Sequence, residues 1–358
     1  MPNPHEPARG TIIPFPAAAI RRPPAPAFVT QPIPTPRVRA QRRITVAAFA
    51  LASLIAIAIA GVALSGAGSR GARHGVARPS RTAGARLRAS VPGSVNLLIA
   101  GLDADDATRD ERGARSDAVM LLHVDADREG AWLVSIPRDA WVNLPDHGEN
   151  RMDAAYALGG AGLLLRSVER LTRLRIDHLA IIDRTGVRRL TDSVGGVGLS
   201  LDPPAAGDLD PESGGLTLEM SGAMALDYVS GHGTLTHGDL EHIRREHRYV
   251  RALLAQLHEH GTLADPPALR DLAASLGGSV RVDQNLTPTA LRALLDSTKR
   301  MQPEDVTFLT APVSRGGVLG VPPSEDAGCA QLWDALARDE MAAFVDAHPE
   351  LVSVEPGR

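Results

Sequence analysis

The 358 residues carry a net charge of −4, a single cysteine and few aromatic side chains. This length accommodates one or two domains with a sizeable core. Because Cys329 stands alone, an internal disulfide and a cysteine-based metal site are both excluded. Residues 1–43 and 65–94 together hold thirteen arginines against one glutamate, so residues 95–358 sum to −16. Such an acidic region argues against a broad duplex-DNA footprint, and we predict no nucleic-acid partner.

A stretch without any charge separates the two basic segments. Residues 44–64 are long enough to cross a hydrocarbon core as a helix. A cleaved signal peptide is the alternative, but its charged region, at 43 residues, and its apolar region would both be unusually long. We therefore predict one retained transmembrane helix over 44–64. A disordered, basic, proline-rich tail (1–43) precedes it, and a flexible basic linker (65–94) follows it.

Periodicity organises the remainder into a folded region over 95–347 and a C-terminal tail over 348–358. Apolar runs predict strands over 95–102, 118–125, 131–136, 178–183, 197–201 and 306–311. Helical spacing predicts helices over 154–174, 187–194, 221–229, 239–260 and 330–347, with one more opened by Thr287 as the N-cap before Pro288. This alternation predicts one α/β or α+β domain with a sheet flanked by helices.

Charged side chains stand at the ends of the first three predicted strands. Asp103 ends the first strand, Arg115 and Asp117 open the second, and Arg138 and Asp139 follow the third. A fold can gather such groups into one site, and carboxylates with arginines suit a divalent metal holding a phosphate-rich ligand. A solvated charged loop and a surface Arg–Asp pair are the alternatives.

The helix predicted over 239–260 is rich in charge near its start. Arg244, Arg248 and Arg251 share a face by their spacing, which fits either a salt-bridged solvent face or a phosphate-facing surface. The histidines between 232 and 260 match no helical zinc motif, and we interpret them as solvated. The sequence contains no phosphate loop of the P-loop type and no Gly-x-Ser-x-Gly elbow, which excludes those two classes of enzyme.

Several segments, taken in order, resemble the LytR-CpsA-Psr family of bacterial cell-envelope proteins. They are Asn-Leu-Leu-Ile-Ala-Gly-Leu-Asp (96–103), Ala-Arg-Ser-Asp (114–117), Ser-Ile-Pro-Arg-Asp (135–139), Met-Asp-Ala-Ala-Tyr (152–156), Ile-Asp-His-Leu (176–179), Asp-Ser-Val-Gly-Gly-Val (192–197) and Ser-Gly-Ala-Met-Ala-Leu-Asp-Tyr-Val (221–229). The resemblance implies a cytoplasmic N-terminus, a single-pass membrane anchor and an extracytoplasmic three-layer α/β (α+β) domain with a central mixed sheet.

The resemblance also implies a function. Family members move a glycopolymer-1-phosphate from a polyprenyl pyrophosphate carrier to a peptidoglycan hydroxyl, with Mg²⁺ or Mn²⁺. By position, Asp103 and Asp117 would hold the metal, and Asp117 or Asp239 would act as base beside the catalytic Arg138. The pyrophosphate-binding side chains implied by position are Arg115, Arg138, His232, His242 and Arg245. The apolar helix over 155–171 and its strands would line a slot for the prenyl chain.

The chain departs from the family pattern at several cations. Ser230 and His232 stand where the family has Arg-x-Arg, while His242 and Glu246 stand where it has Arg and Gln. An anion site that loses cations binds pyrophosphate more weakly. Two hypotheses about the function therefore remain. One is an active transferase. The alternative is a non-catalytic, polyprenyl-phosphate-binding or regulatory envelope protein.

Overall fold

The computed structural model describes residues 87–88, 90–105, 113–200, 217–231, 238–262, 265–298, 300–312 and 327–353. The predicted tail, the predicted membrane helix and most of the linker lie outside these ranges, as does His232. Within them, no helix combines the length and apolar character that crossing a bilayer requires.

Ten strands and eight α-helices build the described region. The strands are β1 (Val95–Leu102), β2 (Ser116–Val124), β3 (Ala131–Ser135), β4 (Trp141–Leu144), β5 (Gly148–Arg151), β6 (His178–Ile182), β7 (Val197–Ser200), β8 (Thr217–Met220), β9 (Val280–Val282) and β10 (Val306–Thr310). The helices are α1 (Ala154–Thr172), α2 (Arg184–Ser193), α3 (Gly222–Ser230), α4 (Gly238–Glu259), α5 (Pro266–Leu276), α6 (Pro288–Thr298), α7 (Ala327–Arg338) and α8 (Met341–Ala347).

A six-stranded mixed sheet forms the middle layer, in the order β10-β3-β2-β1-β6-β9. The pairs β1/β2, β2/β3 and β6/β9 are antiparallel, and the pairs β1/β6 and β3/β10 are parallel. Strands β4 and β5 form a separate hairpin, and β7 pairs with β8. The central strands are apolar on both faces because both faces are covered by helices.

Two hydrophobic cores lie on opposite faces of the sheet. On one face, α1, α7 and α8 pack against residues such as Leu98, Leu121 and Val134. On the other face, α2 to α6 pack against residues such as Leu97 and Met120. The predicted architecture of a mixed central sheet between two helical layers is confirmed.

All six predicted strands are confirmed, each to within two residues of its predicted ends. Thr287 is the N-cap of α6, because its Oγ1 accepts a hydrogen bond from the N–H of Ala290 at 3.2 Å. The helix predicted over 154–174 is confirmed as α1, with a kink at Gly159 and Gly160.

One helix prediction is wrong. The single helix predicted over 330–347 is two helices, α7 and α8, because Asp339 adopts a left-handed backbone conformation with φ at 62° and ends the first. The hairpin β4–β5, the strands β8 and β9 and the helix α5 were not predicted. Each of these strands has only three or four residues, too few for an alternating pattern to stand out.

Candidate functional site

A β-bulge at the start of β2 sets the direction of Asp117. In the antiparallel pairing, Gly101 lies opposite Ala118 and Leu102 lies opposite Ser116, so Asp117 has no partner on β1. Side chains of a regular strand alternate between faces, and one extra residue breaks that alternation. Asp117 therefore shares a face with Ala118, and both side chains line the same pocket.

Arg138 is the partner of Asp117. Pro137 follows the end of β3 and cannot donate to the ladder, and Arg138 lies in the turn that comes next. The guanidinium Nη1 of Arg138 donates to Oδ1 of Asp117 in a half-buried ion pair. The expectation that these two charges lie together is met. The ion pair holds a carboxylate and a guanidinium group together at the ends of two neighbouring strands.

Asp103 and Arg115 meet at the same sheet edge. The N–H of Arg115 donates to Oδ1 of Asp103 at 2.7 Å, and the N–H of Asp103 donates to the carbonyl of Arg115 at 3.1 Å. The side chain of Arg115 is about half exposed and reaches Asp153, with 3.2 Å between Nη1 and Oδ2. Asp103 is itself exposed to solvent beside this cluster.

Arg151 and Asp153 belong to the cluster and were not among the predicted site residues. Asp153 is 5% exposed, and its Oδ2 also accepts from Nη2 of Arg151 at 2.9 Å. Its Oδ1 is buried with no hydrogen-bond partner among the described residues. In the sequence, Asp153 stands within the Met-Asp-Ala-Ala-Tyr segment (152–156) that carries the family resemblance, but nothing there marked it as a site residue.

An apolar pocket, partly open to solvent, includes Asp117 in its lining. Its walls are the sheet on one side and helices α2, α3 and α4 on the other. The apolar lining includes Ile99, Met120, Leu226, Val229, Val250 and Leu253. A cavity with an apolar interior and charge at its mouth suits an amphiphile with an anionic head and a hydrocarbon tail.

The location of this pocket corrects the expected prenyl slot. The apolar face of α1 was expected to line it, but Leu163, Leu164 and Val168 are fully buried in the solid core shared with α7 and α8. The pocket lies on the opposite face of the sheet.

The polar wall of the pocket carries the family departures. Ser230, His242 and Glu246 all line it, and Nε2 of His242 lies 3.1 Å from Oε1 of Glu246 in a buried pair. Arg245 donates instead to the carbonyl oxygens of Gly231 and Tyr228 at the end of α3. The pocket wall thus has a His–Glu pair where the family pattern has an arginine and a glutamine.

The neighbouring arginines of α4 turn towards other groups. Arg244 and Arg248 both approach Glu241, at 3.6 and 4.0 Å. Among the described residues, Arg244, Arg245 and Arg248 are not part of the pocket lining. Asp239 lies in the first turn of α4, but its side chain is outside the described part of the structure, as is all of His232.

The interpretation of the histidines as solvated is wrong for His242 and His247, which are both buried, and His247 links α4 to β3, the strand that precedes Arg138. Nε2 of His247 lies 2.8 Å from Oγ of Ser135 in β3, and Nδ1 lies 2.7 Å from Oγ of Ser353. The ring packs on Phe308, with 5.3 Å between centroids. Burial lowers the pKa of His247 to about 3, helped by the charge of Arg251, so the ring is neutral.

Comparison with known proteins finds a matching family and relatives of known name. The model of the LytR_cpsA_psr family matches residues 68–331. LcpB of Corynebacterium glutamicum, a probable cell wall biosynthesis protein, is 37% identical over 187 residues, which are 48% of this chain and 44% of that protein. TagU of Halalkalibacterium halodurans, a polyisoprenyl-teichoic acid–peptidoglycan teichoic acid transferase, is 30% identical over 193 residues, 53% of this chain and 61% of that protein.

The chain therefore spans less than two thirds of the length of these curated relatives. Among solved structures, TagT bound to LIIa-WTA superposes with a TM-score of 0.53 at 20% identity, covering 74% of this chain and 99% of that one. At this identity the likeness shows the fold: a mixed sheet between two layers of helices.

Proposed function

The chain belongs to the LytR-CpsA-Psr family, and we propose that it is a membrane-anchored phosphotransferase of cell-wall assembly. In this reaction a glycopolymer-1-phosphate leaves a polyprenyl pyrophosphate and is joined to a peptidoglycan hydroxyl. The relatives LcpB and TagU, named for cell wall biosynthesis and for teichoic acid transfer to peptidoglycan, support this class of substrate.

One observation carries the proposal: Asp117, which forms an ion pair with Arg138, lines an apolar pocket that is partly open to solvent. A prenyl chain gains roughly 0.8 kcal/mol for each CH₂ group that the pocket removes from water. Its pyrophosphate would then lie at the pocket mouth, beside the guanidinium groups of Arg138 and Arg115. A guanidinium group can donate two parallel hydrogen bonds to a pair of phosphate oxygens. Its positive charge also stabilises the negative charge that shifts between phosphate oxygens during transfer.

The acidic side chains at this sheet edge fit a magnesium ion. Mg²⁺ uses one or two carboxylates, substrate phosphate oxygens and water, and Asp103 and Asp117 supply two carboxylates at adjacent strand ends. Asp153 lies in the same cluster, where Arg115 and Arg151 pair with its carboxylate and its Oδ1 has no hydrogen-bond partner among the described residues. When bound, the ion would neutralise charge on the pyrophosphate.

The remaining chemistry belongs to the chain's own residues. A carboxylate of Asp117 or Asp239 accepts the proton of the acceptor hydroxyl as its oxygen bonds to the glycopolymer's phosphorus. The bond from that phosphorus to the bridging oxygen breaks, and polyprenyl phosphate leaves. Arg138 holds the departing phosphate, which is where negative charge accumulates.

The membrane position is part of the proposal. The uncharged stretch 44–64 supports a single-pass anchor, and the family pattern supports a cytoplasmic N-terminus with the main domain outside. An anchor of this kind would keep the pocket close to the bilayer that holds the polyprenyl carrier and the glycopolymer linked to it. The proposed partners are thus the lipid carrier, peptidoglycan and the bilayer.

A second candidate function rests on the polar wall of the pocket. Ser230, His242 and Glu246 give this wall fewer fixed cations and one more carboxylate than the family pattern has. Such a wall favours a domain that binds a prenyl-linked phosphate without turning it over. The two functions share the pocket and the head-group site, and they differ in turnover.

The test is a transfer assay with the full-length chain in detergent, a prenyl-pyrophosphate-linked oligosaccharide, muropeptide acceptor and Mg²⁺. The wild type should release prenyl phosphate, and Arg138→Ala should lose at least about 100-fold in rate, the scale of removing one transition-state donor. Arg244→Ala is the matched control, because this arginine is exposed and pairs only weakly with Glu241.

Turnover that is equal in wild type and Arg138→Ala would contradict the transferase proposal. Saturable binding of the prenyl pyrophosphate, with no turnover by the wild type, would establish the binding function instead. Replacing Asp103 by Asn should raise the Mg²⁺ concentration needed for half-maximal rate, which tests the proposed metal ligand separately.

A further inference from the structure

A second cluster of metal-ligating side chains lies at the far end of β2. His123 stands in β2, Asp125 follows the end of that strand, and Asp339 lies between α7 and α8. One ligand atom of each lies within 4.8 Å of the other two. Asp117 is at the beginning of the same strand, so roughly 25 Å of extended chain separates the two sites.

The hydrogen bonds around His123 fix where its proton is. Nδ2 of Asn96 donates to the carbonyl of Arg175 at 3.1 Å and to Oγ of Ser90 at 3.3 Å. The carbonyl accepts only, so the amide of Asn96 directs its Oδ1 at Nδ1 of His123, 2.7 Å away. Nδ1 therefore carries the proton, and Nε2 of the neutral ring presents a lone pair.

That lone pair faces a carboxylate. Nε2 of His123 is 2.7 Å from Oδ1 of Asp339 and 3.6 Å from Oδ1 of Asp125. Two acceptors at this distance repel each other unless a proton or a cation lies between them. A bound divalent cation, to which both atoms could be ligands, would remove this repulsion.

The surrounding charges leave the cluster negative. The carboxylates of Asp339 and Asp127 both lie close enough to act on Asp125 through their charge. Arg128 supplies one positive charge nearby, but its Nη1 donates to the main-chain oxygens of Val124 and Asp125. Asp177 adds a further acid on the side of His123.

The geometry points to a divalent transition-metal site, and we propose that His123, Asp125 and Asp339 bind Zn²⁺ with water as a fourth ligand. Ligand atoms on a tetrahedral zinc with bonds of 2.0–2.2 Å are about 3.4 Å apart, and the separations of 2.7 and 3.6 Å bracket this value. Imidazole with carboxylates suits zinc better than magnesium.

Each proposed ligand is already oriented by an outer hydrogen bond, as is usual for metal sites. Asn96 holds the histidine, Nε1 of Trp132 donates to Oδ1 of Asp125 at 2.7 Å, and the N–H of Ala126 donates to Oδ2 of Asp339 at 2.9 Å. A metal here would link the turn after β2 to the junction between α7 and α8. Its role would be structural, since the site lies away from the pocket.

The test is zinc binding by the full-length chain, carried out in an Asp103→Asn, Asp117→Asn background that removes the proposed catalytic carboxylates. Titration calorimetry should show one equivalent of Zn²⁺, and Co²⁺ should give the visible absorption of a four-coordinate ion. His123→Gln and Asp339→Asn should each weaken binding at least about 100-fold. Asp127→Asn, which removes a neighbouring charge but no ligand, should bind as the parent does.

X-ray absorption at the zinc edge of the unmutated chain provides a readout that does not depend on the folding of variants. It should show a single imidazole and oxygen ligands at about 2.0 Å. Two or more imidazoles, no saturable binding below about 100 µM, or equal binding by His123→Gln and its parent would each overturn the proposal. So would a shared proton between His123 and Asp339, seen as no zinc binding together with a lower melting temperature for Asp339→Asn.

Discussion

The His247 bridge predicts how the protein responds to acid. His247 is buried between Ser135 and Ser353, and its pKa in the folded state is about 3, against 6.5 for an exposed histidine. The unfolded chain takes up a proton below pH 6.5 that the folded chain cannot. Stability from this group is therefore complete above pH 6.5 and is lost as the pH falls towards 3.

The size of the effect follows from the two pKa values. Each pH unit between them changes the free energy of unfolding by about 1.4 kcal/mol, so His247 alone removes roughly 2.7 kcal/mol between pH 7 and pH 4.5. That is a large part of the stability of an ordinary domain. The strand that loosens is β3, which leads directly into Pro137 and Arg138.

The assay is urea unfolding of wild type and His247→Gln at pH 7.0 and 4.5. The variant should be less stable at pH 7 by about 1–2 kcal/mol, because it loses paired hydrogen bonds. Its loss between the two pH values should be smaller than that of the wild type by about 2.7 kcal/mol. Ser353→Ala is the control, since it removes one hydrogen bond but no titrating group. An equal pH dependence in wild type and His247→Gln would refute the reasoning.

Three further changes test the pocket and its support. Val229→Trp fills the apolar pocket, so binding of a long prenyl pyrophosphate should weaken at least about 10-fold in a fluorescence titration, while inorganic pyrophosphate binds as before. Glu246→Gln removes a carboxylate from the pocket wall and should tighten prenyl pyrophosphate binding by about 10-fold; a weaker complex would show that the His242–Glu246 pair assists binding. Gly222→Ala places a methyl group against the carbonyl oxygen of Arg188, so urea unfolding should show a loss of about 2–3 kcal/mol; an unchanged midpoint would contradict that contact.

Local pattern was sufficient to predict six of the ten described strands and most helices. Continuous apolar runs at β1, β2 and β3 have both sheet faces covered, and the charges that follow them mark their ends. Arg138 and Asp139 were correctly placed after the end of the third strand. These inferences need only neighbouring residues, which is why they could be made before any coordinates.

Features that depend on strand register, or on residues far apart in the sequence, could not be predicted. The bulge at Asp117 is defined by the pairing of β2 with β1, and no residue type within β2 indicates it. The prenyl slot implied by the family resemblance was expected on the wrong face of the sheet, because packing of α1 against α7 and α8 fills that side. The histidine of the far cluster and Asp339 are 216 residues apart in sequence.

The central claim is that charge at the strand ends and the apolar pocket beneath it hold one prenyl pyrophosphate. A prenyl pyrophosphate with a diazirine at the far end of its chain, photolysed on the full-length protein, tests this directly by peptide mass spectrometry. Labelling should fall on the walls formed by α2, α3 and α4, and excess unlabelled prenyl pyrophosphate should suppress it. Labelling on α1, or labelling that the competitor leaves unchanged, would contradict the account.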